Sequence, residues 1–88
     1  LFLERPDEPD NYFVIPSPRR QQIIQLLEQH KVSAVFSGHL HRNNLRNLNG
    51  IEYVSTGPVG YPLGEDPSGI RVVNLDYGYL RHQYISLE

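Results

Sequence analysis

No cysteine occurs in the 88 residues. Neither a disulfide framework nor a thiolate metal site is therefore available, and any metal has to be held by nitrogen and oxygen. Methionine is also absent, and the chain opens on Leu1-Phe2-Leu3 as though in mid-strand, so a piece of a longer protein is expected. No stretch approaches the roughly 18 apolar residues that span a bilayer, and Leu1-Phe2-Leu3 is too short for a signal-peptide core. A membrane partner is not expected, and a cytoplasmic location is. Basic charge is scarce as well: the net charge is -2, the pI is near 6.1, and Arg19-Arg20 is the single basic pair. Nucleic acid binding is not expected from such a field.

A chain this short buries only roughly 60–65% of the surface it exposes when unfolded, which argues against a large enclosed active site made by these residues alone. Residues 4–10 (ERPDEPD) are acidic and proline-rich, a composition for a solvated loop. Ser17-Pro18 reads as a helix start, with serine as cap and proline in the first turn. A helix over about 18–31 follows, with Ile23, Ile24, Leu26 and Leu27 forming an apolar stripe. His30 and Lys31 fall in its last turn, where positive charge suits the helix dipole. Val32 to Phe36 is an apolar run suited to a strand covered on both faces.

Leu45 to Leu48, Asn49-Gly50 and Ile51 to Thr56 spell a hairpin, because Asn-Gly accepts the positive φ of a two-residue turn. Residues 57–69 hold four glycines and three prolines, too many breakers for a regular element. A strand is expected over Ile70 to Leu75, a turn at Asp76-Tyr77-Gly78, and a second strand over Tyr79 to Leu87. In that strand Leu80, His82, Tyr84 and Ser86 alternate with Tyr79, Arg81, Gln83 and Ile85, the pattern of an antiparallel strand with one wet face.

Two of the four histidines stand in "SGHLHRNN", just past the Val32–Phe36 run. Gly38 frees the backbone, and if the segment is extended, His39 and His41 point the same way. Sites in open α/β sheets lie beyond the carboxyl ends of strands, which is where this pair falls, so both are candidate metal ligands. The plainer alternative has His39 capping the loop and His41 solvated. Asn43 is a candidate for contact with a substrate phosphate or is a turn former. Tyr61, in the glycine-proline loop, is a candidate wall of a substrate pocket. Arg42, Glu65, Asp66 and Asp76 read as solvated or turn residues, and His30 and His82 as structural.

The stretch "VFSGHLHRN" resembles the G-H-x-H motif of the calcineurin-like metallophosphoesterase family. The resemblance continues through "GPVGYPLGEDPSGIRVVNLDYGYLRHQYISLE", and "LFLERPDEPDNYF" is similar to the segment after that family's upstream metal-binding histidine. It points to the branch with a single calcineurin-like phosphoesterase domain, implicated in serine/threonine protein dephosphorylation. The implied fold class is α/β: residues 1–88 are the C-terminal half of a four-layer α/β/β/α sandwich, with one helix, one buried strand and then antiparallel strands.

The resemblance further implies two divalent metal ions (Mn, Fe or Zn), one bound by His39 and the other by His41. Their task is phosphoester hydrolysis by metal-bound hydroxide, with a phosphoester, such as phosphoserine or phosphothreonine, as substrate. No D-x-H, G-D or G-N-H motif occurs in these residues. Most metal ligands would thus lie outside the chain, the catalytic acid is not assigned, and the N-terminal half of the domain is a required partner without which the fragment is expected to be inactive. A non-catalytic protein-interaction scaffold of the same fold is the alternative.

Overall fold

A computed structural model describes all residues, 1–88. One helix, α1 (Ser17–Gln29), precedes five strands: β1 (Ala34–Ser37), β2 (Asn44–Leu48), β3 (Ile51–Ser55), β4 (Gly69–Asp76) and β5 (Tyr79–Ser86). The fold is α/β, with a three-stranded sheet in the order β1-β3-β2 and a two-stranded sheet of β4 and β5. No helix is long and apolar enough to cross a membrane. The chain divides into two compact units, Leu1–Val35 with Asn44–Val54, and Phe36–Asn43 with Ser55–Glu88.

Both hairpins form where the turn residues demand them. Asn49 (φ 51°) and Gly50 (φ 81°) join β2 to β3, and Tyr77 (φ 47°) and Gly78 (φ 83°) join β4 to β5. Positive φ at both turn positions matches the right-handed twist of the flanking strands. The β4–β5 ladder runs antiparallel from Asp76 opposite Tyr79 to Gly69 opposite Ser86. Along β5, Leu80, His82 and Tyr84 are half-buried and Tyr79, Arg81, Gln83 and Ile85 exposed, the alternation expected of a strand with one wet face; it ends at Ser86, which is exposed.

The buried strand is β3 and not the Val32–Phe36 run. In β3, Ile51, Tyr53 and Val54 are buried, whereas β1 is half-buried at Ala34 and Val35 and exposed at Phe36 and Ser37. The cause is position: β3 lies between two strands and β1 at the sheet edge. Glu52 N donates to Ser33 O and Thr56 N to Ser37 O. Donors and acceptors advance together along the two strands, so β1 and β3 run parallel.

In the first unit Phe2, Ile24, Ile51 and Tyr53 form the core, with Leu1, Leu27, Val35 and Leu48 packed against it. The Phe2 and Tyr53 rings lie 4.7 Å apart and tilted. Burial of each such aliphatic or aromatic side chain contributes roughly 1.5–3 kcal/mol. Leu26, on the expected apolar stripe, is instead 56% exposed.

The start of α1 differs from the serine cap expected. Pro16 occupies the N-cap and Pro18 the first turn, with no capping bond from a neighbouring side chain. Asp10 Oδ1, seven residues upstream, accepts from Ser17 N at 2.8 Å and from Arg20 Nη2 at 3.1 Å. It satisfies one of the free amides of the first turn. At the other end Gln29 is the last helical residue, so His30 and Lys31 lie beyond it. Lys31 N donates to Glu28 O and Val32 N to Leu27 O, with Lys31 at φ 54°. That pair of bonds is a Schellman ending with lysine where glycine is usual.

The acidic segment is also more than a solvated loop. Glu8 is buried, and its carboxylate accepts from Leu3 N, Glu4 N and Arg5 N at 3.0, 2.7 and 2.9 Å. Burial alone would raise its pKa, but the three amide donors, helped by the positive charge of Arg20, hold it below the ordinary value of 4.5. Arg20 is fully buried and donates to Glu8 O at 2.7 Å, so a residue from the polar run of α1 ends at the centre of the loop it organises.

Candidate metal centre

The second unit begins at the end of β1. Ser37 and Ser55 hydroxyls hydrogen-bond at 3.1 Å, and Thr56 N donates to Ser37 O at 2.9 Å, which fixes the point from which the histidine loop departs. Leu40, between the two histidines, is 5% exposed and anchors the loop by its apolar side chain. His39 is exposed and His41 half-buried.

The segment is not extended. His39 has φ 75° and His41 φ 60°, so the rule that alternate residues of a strand share a face does not apply. Gly38 has no such φ, and a Cβ there would meet nothing within 4 Å. The turn is made by the histidines themselves. A left-handed conformation at a non-glycine residue costs of the order of 1–3 kcal/mol and persists where the surroundings over-determine it, often at functional sites.

Those surroundings are the residues of the glycine-proline segment. Leu63 N donates to His41 O at 2.7 Å, and His41 Nδ1 lies 2.9 Å from Tyr61 O. A carbonyl oxygen only accepts, so Nδ1 carries the proton and the lone pair of the neutral ring is on Nε2. Metal-bound histidines are oriented this way, the second ring nitrogen donating to a carbonyl or carboxylate. Tyr61 thus meets the candidate ligand through its backbone, while its side chain is 71% exposed.

Asn43 is drawn inward. Its Oδ1 accepts from Gly57 N at 2.9 Å and from Arg71 Nη2 at 2.9 Å, and its own N donates to Asp66 Oδ2 at 3.0 Å. Arg71 also donates through Nε to Thr56 Oγ1 and through Nη1 to His82 Nδ1, both at 3.0 Å. Since guanidinium has donors only, His82 Nδ1 must accept. The His82 ring stands edge-on to Phe36 at 5.4 Å, Tyr84 lies under Arg71 at 5.5 Å, and Tyr84 OH donates to Pro67 O at 2.6 Å.

Gly57 and Gly69 admit Tyr84: an added Cβ would come within 2.9 Å of its hydroxyl at Gly57 and 2.6 Å of its ring at Gly69. In the sequence Arg71, Thr56 and Tyr84 carry no site signal, and Asp66, expected as a turn residue, instead accepts from Asn43 N. The alternation that sets His82 and Tyr84 on one face of β5 is the single sequence pattern that bears on this cluster.

As a metal centre the loop is suited in kind and short in number. Imidazole nitrogen is a good donor to Mn, Fe and Zn, and the His41 tautomer presents Nε2. No group of three or more His, Cys, Asp or Glu side chains stands together to hold an ion. Two ligands are present at most, and a complete coordination sphere needs others.

No family model matches the chain, and no solved structure matches it. Among curated proteins it is 42% identical over 88 residues to the serine/threonine-protein phosphatase CPPED1 of Danio rerio. Identity is 36% over 88 residues to the protein of the same name in Mus musculus and 37% over 89 residues to that in Homo sapiens. Each alignment covers the whole of this chain and 28% of the relative. The 88 residues are thus similar from end to end to a portion of proteins named serine/threonine phosphatases, and span less than a third of their length.

Proposed function

We propose that these residues are the histidine-loop portion of a metal-dependent phosphoesterase whose N-terminal portion supplies the remaining ligands and completes a four-layer sandwich. The substrate class is a phosphate monoester, with phosphoserine and phosphothreonine as the leading members because the relatives are named serine/threonine phosphatases. The observation that carries the proposal is the His41 Nδ1 to Tyr61 carbonyl bond, which orients the ring and leaves Nε2 available as a ligand.

In this reading His39 and His41 would each contribute one ring nitrogen to a pair of divalent ions, which when bound would supply Lewis acidity toward the phosphoryl oxygens. The residues of this chain bind and orient. Leu40 anchors the loop, the Tyr61 carbonyl sets the tautomer of His41, and Asn43 ties the loop to residues 57–66. Proton transfer to the leaving group is assigned to no residue of this chain.

The test is turnover of an aryl phosphate by the full-length protein with added Mn²⁺, beside His39→Ala and His41→Ala. Metal-dependent turnover that falls by about a hundredfold or more in both variants is expected, the scale of losing one ligand of a dinuclear clamp. A folded full-length protein that is silent with every metal tried would contradict it and favour a protein-binding scaffold.

A further inference from the structure

We propose that Arg71 is a positioning residue for the histidine loop, setting the placement of His39 and His41 through Asn43. The inference rests on the metal-ligand reading above and adds a residue that reading does not contain.

The ion pairs of the chain join Arg5 to Asp7, Arg20 to Asp10 and Arg46 to Glu4. Arg71 belongs to none of them. Its half-buried guanidinium donates to three acceptors, none of them a carboxylate, on three separate segments: Asn43 Oδ1 after the loop, Thr56 Oγ1 after β3, and His82 Nδ1 on β5. Charge-assisted bonds are stronger than neutral ones, and a planar fork reaching several acceptors fixes direction as well as distance. A solvated arginine on a strand needs no such arrangement.

Asn43 is the relay. It stands two residues beyond His41, and one oxygen, Oδ1, takes both Arg71 Nη2 and Gly57 N. Without Arg71 that oxygen keeps a single neutral donor, and the loop loses its tie to the β4–β5 hairpin. Leu63 N and the Tyr61 carbonyl would still hold His41, so the loop would shift or broaden its conformations while remaining attached. Groups bonded directly to a metal ligand typically govern affinity by about 10–100-fold; Arg71 acts one step further back, through Asn43, which places it at the lower end of that range.

The experiment compares full-length wild type with Arg71→Met, Arg71→Lys, Asn43→Leu and the Arg71→Met/Asn43→Leu double variant. Two readouts are taken: Mn²⁺ affinity, and amide exchange in the metal-free state. Arg71→Met is expected to weaken Mn²⁺ binding by about tenfold and to speed exchange at Asn43 and Gly57 by about tenfold or more, the scale of one charge-assisted bond. Exchange at Val72 and Gln83, inside the β4–β5 ladder, stays unchanged. Arg71→Lys recovers part of both effects, and the double variant is no worse than the more damaging single one, as for two groups acting in series.

Unchanged exchange at Asn43 and Gly57 in a folded Arg71→Met protein overturns the proposal. So does exchange that rises evenly along β4 and β5, which marks a stabilising role only, and so does undiminished Mn²⁺ affinity. A wild type that binds no Mn²⁺ removes the metal-ligand reading instead, and the metal-free exchange pattern then decides alone whether Arg71 positions the loop.

Discussion

In the unit of residues 1–35 and 44–54, Phe2, Ile24, Ile51 and Tyr53 pack into an apolar cluster. The unit of residues 36–43 and 55–88 instead buries Leu40, Gly57 and Gly69 and is stitched by hydrogen bonds that converge on Asn43 and Arg71. Apolar burial is strong and non-directional, good for holding elements together and indifferent to small shifts. A hydrogen-bond network is directional and fails when its geometry fails. The histidine loop sits in the unit held by the second kind of force, which the proposed ligand role of His39 and His41 would require.

The largest expected effect breaks the second unit at its tightest contact. Gly69→Ala would put a Cβ 2.5 Å from Ile85 O and 2.6 Å from Tyr84 Cζ, and overpacking of this kind costs typically 1–3 kcal/mol. Urea unfolding of the full-length protein should place it at the upper end of that range. The exposed Gly60→Ala, with nothing within 4 Å of its Cβ, should be nearly neutral.

A second prediction sharpens the comparison, because the apolar unit also holds a directional element at Glu8. Glu8→Gln replaces an acceptor of three amide bonds by a group with one acceptor oxygen and should cost about 2 kcal/mol. The carboxylate pKa is lowered by folding. Its contribution is therefore complete above the ordinary value of 4.5 and lost as pH falls through the lower folded value. The wild-type advantage over Glu8→Gln should accordingly be constant near neutrality and shrink below pH 4.5, as followed by denaturant midpoints across pH.

Smaller effects run the other way. The Tyr53 hydroxyl is buried with no hydrogen-bond partner, and burial, with a further push from Glu28, raises its pKa. Tyr53→Phe keeps the ring against Phe2 and removes the unsatisfied group, so thermal unfolding should show a gain of about 1 kcal/mol. Tyr77, 97% exposed, holds φ 47° at the β4–β5 turn. Tyr77→Asn suits that conformation better and should stabilise by up to about 1 kcal/mol.

Much of the local structure was legible in the sequence because its causes are local. Asn49-Gly50, the Asp76-Tyr77-Gly78 turn and the alternation along β5 each involve residues a few positions apart. The edge position of β1 was hidden because the order β1-β3-β2 depends on a parallel pairing that no turn residue announces. Asp10 as the partner of Ser17, and Glu8 as the organiser of its own loop, were masked by a composition that also describes solvated acid. The histidine pair was visible by spacing, but not the left-handed φ at both positions. Arg71 was not visible at all: its partners lie 28, 15 and 11 residues away, and a lone arginine on a strand carries no signal.

The central claim is that His41 keeps its proton on Nδ1 and offers Nε2 to a metal. It is tested most directly by long-range ¹H–¹⁵N correlation spectra of the full-length protein with ¹⁵N-labelled histidine, recorded metal-free and with Zn²⁺ added. The account predicts a proton on Nδ1 of His41 before addition, and a zinc-induced shift on Nε2 of His41 together with a response at His39. A His41 protonated on Nε2 in the metal-free state, or spectra in which neither ring responds to zinc, would contradict it.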